Sequence, residues 1–154
     1  MNSMWTKREW RIPAERMKMG EEHIVPLCTQ ALELLLELKT LTGGQRWLFP
    51  NYRRPKTFMS STTLNRALER MGYAGQLSSH GFRATASTIL NETGFLPDVI
   101  ERQLAHKERN KTRASYNQAE YLDDRRKMMQ QWANMVDALA AGKKIVPLRK
   151  DRAA

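Results

Sequence analysis

Residues 8–27 read Arg-Glu-Trp-Arg-Ile-Pro-Ala-Glu-Arg-Met-Lys-Met-Gly-Glu-Glu-His-Ile-Val-Pro-Leu. Two short runs that suit strands flank a polar turn. In residues 8–13 Trp10 and Ile12 alternate with Glu9 and Arg11, whereas Ile24, Val25 and Leu27 dominate residues 22–27. Gly20, between them, takes a positive φ without a Cβ penalty, so the stretch predicts an antiparallel hairpin. Two strands are marginal in water, so a third strand or a covering helix is expected.

Outward from the hairpin the pattern turns helical. Thr29 suits the cap of a helix whose Leu32, Leu35, Leu36 and Leu38 make an apolar stripe, closing before Gly43-Gly44. Residues 42–57, with Pro50, Pro55 and the cluster Arg53, Arg54 and Lys56, read as an exposed loop. Ser60 or Ser61 opens a helix through Leu64, Leu68 and Met71 that Gly72 stops. Ser78-Ser79 caps the next, from about His80 to Glu92, ended by Gly94. Pro97 and Asp98 suit the first turn of another, with Val99, Ile100 and Leu104 facing inward. A basic connector at 107–113 leads to Tyr116. The last helix, over about 118–141, carries Leu122, Met129, Trp132, Val136 and Leu139 before Gly142. The expected fold is mainly α with a small antiparallel β-hairpin. One domain covers 1–141 (hairpin about 8–27, helices about 29–141), followed by a basic, flexible tail over 142–154.

The composition narrows the function classes. With 154 residues and 41% hydrophobic side chains, the chain is long enough to bury a core. Cys28 has no second cysteine to pair with, and no apolar run approaches the roughly 20 residues that a bilayer span needs. Charges at Lys7, Arg8 and Glu9 sit where a signal peptide has its apolar stretch. A soluble protein of the reducing cytoplasm, with no membrane partner, is expected. The net charge of +10 is uneven: residues 1–40 balance, residues 41–83 carry +6, 101–116 carry +3 and 142–154 carry +4. Such clustering exceeds a solubilising surface and points to a polyanion, above all nucleic acid.

Several side chains could carry chemistry. His80 and Arg83 stand three apart at a helix start, where capped N–H groups and a guanidinium fork suit a phosphate, although an ordinary surface pair fits too. His106 ends a helix, where an imidazole often partners the dipole. Tyr116 and Tyr121 each fit a packing role, and Lys18 fits a solvated turn. His23, His80, His106 and Cys28 lack metal-ligand spacing, and no phosphate loop ending in Lys-Ser/Thr or G-x-S-x-G is present.

Taken in order, Lys18, His80-x-x-Arg83, His106 and Tyr116 resemble the catalytic set of the tyrosine recombinases, the phage integrase family. The local text resembles the prophage-integrase branch. It runs Trp10-Arg11-Ile12-Pro13-Ala14-Glu15-Arg16-Met17-Lys18-Met19, His23-Ile24-Val25-Pro26-Leu27, and His80-Gly81-Phe82-Arg83-Ala84-Thr85-Ala86. Further on stand Leu104-Ala105-His106 and Ala114-Ser115-Tyr116-Asn117-Gln118-Ala119-Glu120-Tyr121-Leu122. The likeness covers about residues 5–140.

The resemblance implies the family's catalytic-core fold and site-specific DNA recombination, as in prophage integration and excision. DNA strands are broken and rejoined through a 3′-phosphotyrosyl link, without metal, cofactor or small-molecule substrate. Tyr116 would be the nucleophile; a phenol with an ordinary pKa near ~10 needs cationic neighbours and a proton acceptor. Arg83 and His80 would hold the nonbridging oxygens, His106 would bond the phosphate, and Lys18 would protonate the leaving 5′-oxygen. Arg53, Arg54 and Lys56, with Lys107, Arg109 and Lys111, are expected on the backbone of double-stranded DNA. A homo-oligomer on DNA is implied, and the stretch around Met128, Met129 and Trp132 suits either a neighbouring copy or the chain's own core. The resemblance also departs. The family's first catalytic arginine lies upstream of the hairpin, so an N-terminally truncated, impaired enzyme is expected. The alternative is a catalytically dead DNA-binding or protein-interaction remnant.

Overall fold

The computed structural model describes residues 3–18, 20–106 and 121–143. In chain order the elements are α1 (Ser3–Lys7), β1 (Glu9–Ile12), a 3₁₀ turn (Ala14–Arg16), β2 (His23–Pro26), α2 (Thr29–Thr42) and α3 (Thr63–Leu68). A π-helical turn (Glu69–Tyr73), α4 (Ser79–Glu92), α5 (Pro97–Gln103) and α6 (Leu122–Ala140) follow. They fall into two compact units, residues 30–86 in one and the described parts of 1–29 and 87–154 in the other. Of the basic tail expected over 142–154, only Gly142 and Lys143 lie within the described residues.

The hairpin forms where the sequence places it. β1 and β2 are antiparallel, with Trp10 opposite Val25 and Ile12 opposite His23, and Gly20 turns the chain at φ 69°. Among the described residues the sheet has two strands, and the element that packs on β2 is α6.

The side-chain alternation of β1 is not the simple apolar-in pattern. Glu9 is the buried residue at 5% exposure, while Trp10 is 51% exposed. Charge compensation is the reason. Arg126 of α6 forms an ion pair with one carboxylate oxygen of Glu9, and Arg11 pairs with the other at 3.0 Å. Arg126 also donates to the Lys7 carbonyl at 3.1 Å. A buried carboxylate with two guanidinium partners is tolerated where a lone one is not.

A second guanidinium goes deeper. Arg125 is fully buried; its Nε donates to Gln103 Oε1 of α5 at 2.9 Å, and an Nη donates to the Ile24 carbonyl of β2. One side chain therefore ties α6 to both the hairpin and α5. The hydrophobic core of this unit is Leu90, Val99, Ile100 and Met128, with Phe95, Leu104, Tyr121 and Trp132 packed against them. Burying each such apolar side chain contributes about 1.5–3 kcal/mol. The inward placement of Val99, Ile100 and Leu104 agrees with the sequence pattern.

The α6 stripe is shifted from its expected register. Arg125, Met128 and Ala133 are the buried positions, and Val136 and Leu139 are about half exposed, at 43% and 46%. Met128 belongs to this chain's own core. The buried positions run from Arg125 to Ala133, and the turns after them are left more exposed. Tyr121 sits in the left-handed region at φ 47°, so α6 opens at Leu122; residues 118–120 lie outside the described ones.

In residues 30–86 only Leu68 is buried. α2 starts at Thr29, whose amide donates to Gln130 Oε1 of α6 at 2.9 Å, so the cap comes from a distant side chain. Leu32, Leu35 and Leu38 are partly covered, whereas Leu36 is exposed. α3 opens at Thr63 rather than at Ser60 or Ser61: the Ser60 carbonyl accepts the Thr63 amide, making a turn before the helix. The chain then widens into a π-helical turn in which Gly72 leaves the helix at φ 91°.

Arg125→Ala removes two charge-assisted bonds from a buried site and leaves a carbonyl and an amide oxygen unsatisfied. It should lower stability by about 3 kcal/mol or more in urea unfolding, while the exposed-face change Val136→Ala stays within about 0.5 kcal/mol.

Candidate active site

His80 and Arg83 stand on one face of the first turn of α4, in the unit of residues 30–86. The helix start is built by side chains. Ser78 Oγ accepts the Gly81 amide at 3.1 Å, and Asn65 of α3 accepts the Ser79 amide at 2.8 Å. Two N–H groups that the sequence reading left open for a phosphate are thus occupied. The anion-holding capacity of this turn rests on the His80 and Arg83 side chains, both exposed and without an ion-pair partner among the described residues.

α4 closes at Gly94, φ 88°, with the Phe95 amide bonded to the Leu90 carbonyl and the Gly94 amide to Asn91. This double turn ends a helix by satisfying its last carbonyls. α5 ends the same way, but the left-handed position is Ala105 at φ 50°. The Ala105 amide donates to Arg102 at 3.2 Å and the His106 amide to the Glu101 carbonyl at 3.1 Å. An alanine there carries a steric cost that glycine does not.

The turn fixes His106 twice, because its Nδ1 also lies 2.8 Å from Glu101 Oε2. With Nδ1–H donating to a carboxylate, a neutral ring leaves Nε2 as the open acceptor. Glu101 was missed by the sequence reading; its signal was an acidic residue one turn before a histidine at a helix end.

Lys18 lies at the exposed tip of the hairpin, in the same unit as His106. Successive turns set its place: the Arg16 amide donates to Pro13, Met17 to Ala14 and Gly20 to Met17, at 2.9, 3.0 and 3.0 Å. No partner holds the Lys18 ammonium among the described residues. Tyr116 lies outside the described residues, as do Lys107, Arg109 and Lys111.

Arg53, Arg54 and Lys56 sit on a loop that is far from loose. The Asn51 side chain accepts the Arg53 and Arg54 amides at 2.9 and 3.1 Å, and the Asn51 amide donates to Thr57 at 2.9 Å. Pro50 bridges Phe58, the Trp47 ring meets Phe58 edge-on at 5.3 Å, and Trp47 Nε1 donates to the Lys56 carbonyl at 3.0 Å. The three cationic side chains project into solvent from a fastened frame.

Among the described residues no three His, Cys, Asp or Glu side chains cluster to hold a metal ion, and no helix is long and apolar enough to cross a membrane.

Comparison with known proteins shows the family of the chain. Residues 1–122 match the phage integrase family, and the chain belongs to that family of tyrosine recombinases. It is 52% identical over 134 residues to prophage integrase IntA of Escherichia coli (strain K12), covering 87% of this chain and 32% of that protein. It is 46% identical over 147 residues to the integrase of Enterobacteria phage P4, covering 85% of this chain and 34% of that protein. It is 46% identical over 132 residues to prophage integrase IntZ of Escherichia coli (strain K12), again covering 85% of this chain and 32% of the relative. The chain thus spans about a third of the length of the curated relatives it matches. No solved structure matches it.

Two substitutions probe the local frames. Ser78→Ala removes the α4 cap and should cost about 1 kcal/mol in thermal or urea unfolding. Ala105→Gly relieves the left-handed strain before His106 and should raise stability by about 1 kcal/mol on the same assay.

Proposed function

We propose that this chain supplies catalytic residues of a site-specific recombinase that cuts and rejoins double-stranded DNA through a 3′-phosphotyrosyl intermediate. The observation that carries the reading is the pairing of family membership with the family's residue types at Lys18, His80, Arg83, His106 and Tyr116. The arrangement of His80 and Arg83 on one helix turn, and the Glu101-held His106, support it.

The chemistry follows from the residue types. A phosphodiester repels nucleophiles, and attack concentrates further charge on its nonbridging oxygens. Arg83 offers a rigid bidentate fork to those oxygens, and His80 adds a donor one turn away. The Tyr116 oxygen forms a bond to phosphorus as the bond from phosphorus to the 5′-oxygen breaks. Lys18 gives its proton to that leaving oxygen. His106, held at Nδ1 by Glu101, takes the phenol proton at Nε2 as Tyr116 attacks, and the resulting Nε2–H donates to a nonbridging phosphate oxygen. The phosphotyrosyl ester retains the energy of the broken bond, so the free 5′-hydroxyl reverses the step without a nucleotide.

Arg53, Arg54 and Lys56, with Lys107, Arg109 and Lys111, hold the DNA backbone in this proposal, and copies of the protein assemble on the DNA. The 154 residues correspond to about a third of the length of each relative.

A nicked suicide duplex tests the assignment. A denaturant-resistant protein–DNA adduct should form slowly with the wild-type chain, vanish in Tyr116→Phe and persist in Tyr121→Phe. Arg83→Lys should reduce its rate by about 10²-fold or more. Duplex binding with no adduct under any condition would favour the remnant, and an adduct that survives Tyr116→Phe would overturn the nucleophile.

A further inference from the structure

The loop that presents Arg53, Arg54 and Lys56 also presents an aromatic ring with no place in the fold. Tyr52 is 97% exposed, and it stands between Asn51, whose side chain locks the turn, and the two arginines. Burial is the usual use of a tyrosine ring, and this one is left in water at the tip of a braced loop. The bracing matters: Trp47, Pro50 and Phe58 fasten both ends of the loop, so the tip pays little ordering cost when it meets a partner. Four of the chain's twelve aromatic residues fall within residues 47–58, where the charge is wholly basic. Cations beside an outward ring suit a polyanion that also exposes apolar sugar surface between its charges, which describes nucleic acid better than an acidic protein.

We infer that Tyr52 is a DNA-contacting residue whose ring packs against deoxyribose and base edges in a groove of the duplex while Arg53 and Arg54 hold the flanking phosphates. The inference rests on the DNA reading above and adds a salt-independent contact to it. Phosphate contacts release counterions and lose strength with salt. A ring contact excludes water from apolar surface and does not.

The experiment is fluorescence-anisotropy titration of the full chain with a labelled mixed-sequence DNA duplex over a range of salt. Tyr52→Ala should weaken binding roughly tenfold at every salt concentration, leaving the slope of log K against log salt unchanged. Tyr52→Phe should bind as the wild type does. Arg53→Ala and Arg54→Ala should each reduce that slope by about one. Because the Tyr52 ring touches so little of the fold, the thermal midpoint of Tyr52→Ala should equal that of the wild type, which excludes misfolding as the cause. Wild-type-like affinity of Tyr52→Ala, with both arginine variants weakened, would overturn the inference and leave the DNA reading standing. Absence of duplex binding by the wild-type chain would overturn both.

Discussion

A fully buried guanidinium holds together the unit formed by the two ends of the chain. Arg125 joins α6 to the Ile24 carbonyl of β2 and to Gln103 of α5. Its neighbour Arg126 neutralises the buried Glu9 of β1. The hairpin is too small to be stable alone, and its strands are short. Polar bonds to a helix about a hundred residues later give it a fixed seat. Such a seat is also directional: a methionine could fill the volume, but it could not dictate which carbonyl of β2 faces α6. The hydrophobic cluster of Leu90, Val99, Ile100 and Met128 adds non-directional burial to these directional bonds.

That division bears on the proposed reaction. The hairpin tip carries Lys18, the end of α5 carries His106, and α6 follows the segment that holds Tyr116. In the proposed reaction these three act on one phosphate, and phosphoryl transfer is sensitive to displacements of a single ångström. A clamp made of directional bonds between β2, α5 and α6 suits that demand. The Glu101–His106 pair extends the same principle to a single ring. His80 and Arg83 belong to the other unit, where buried apolar surface is scarce and capping by Ser78 and Asn65 takes a larger share of the local ordering.

Much of this was legible in the sequence. Alternating residues around Gly20 located the hairpin, and Ser78, Gly94 and Pro97 located helix ends, because turn and cap chemistry is local. The inward face of α5 followed from Val99, Ile100 and Leu104. What was not legible is non-local. Arg125 reads as a surface charge until Gln103 and Ile24 are placed beside it, and Glu9 reads as solvent-facing until Arg126 arrives. The α6 stripe was misjudged for the same cause, since which half of a helix is covered depends on distant elements. The candidate site residues were named by motif and resemblance, whereas Glu101, Asn65 and Asn51, which hold those motifs in place, carry no motif of their own.

Native-state hydrogen exchange tests the clamp most directly. If Arg125 joins the hairpin to α5 and α6, amides of β1 and β2 should open with the same free energy as those of the Arg125–Ala133 stretch of α6. Amides of α2 and α3, where only Leu68 is buried, should open more readily. Hairpin amides exchanging orders of magnitude faster than those of α6 would contradict the account, because the strands would then be riding on the helix rather than fastened to it.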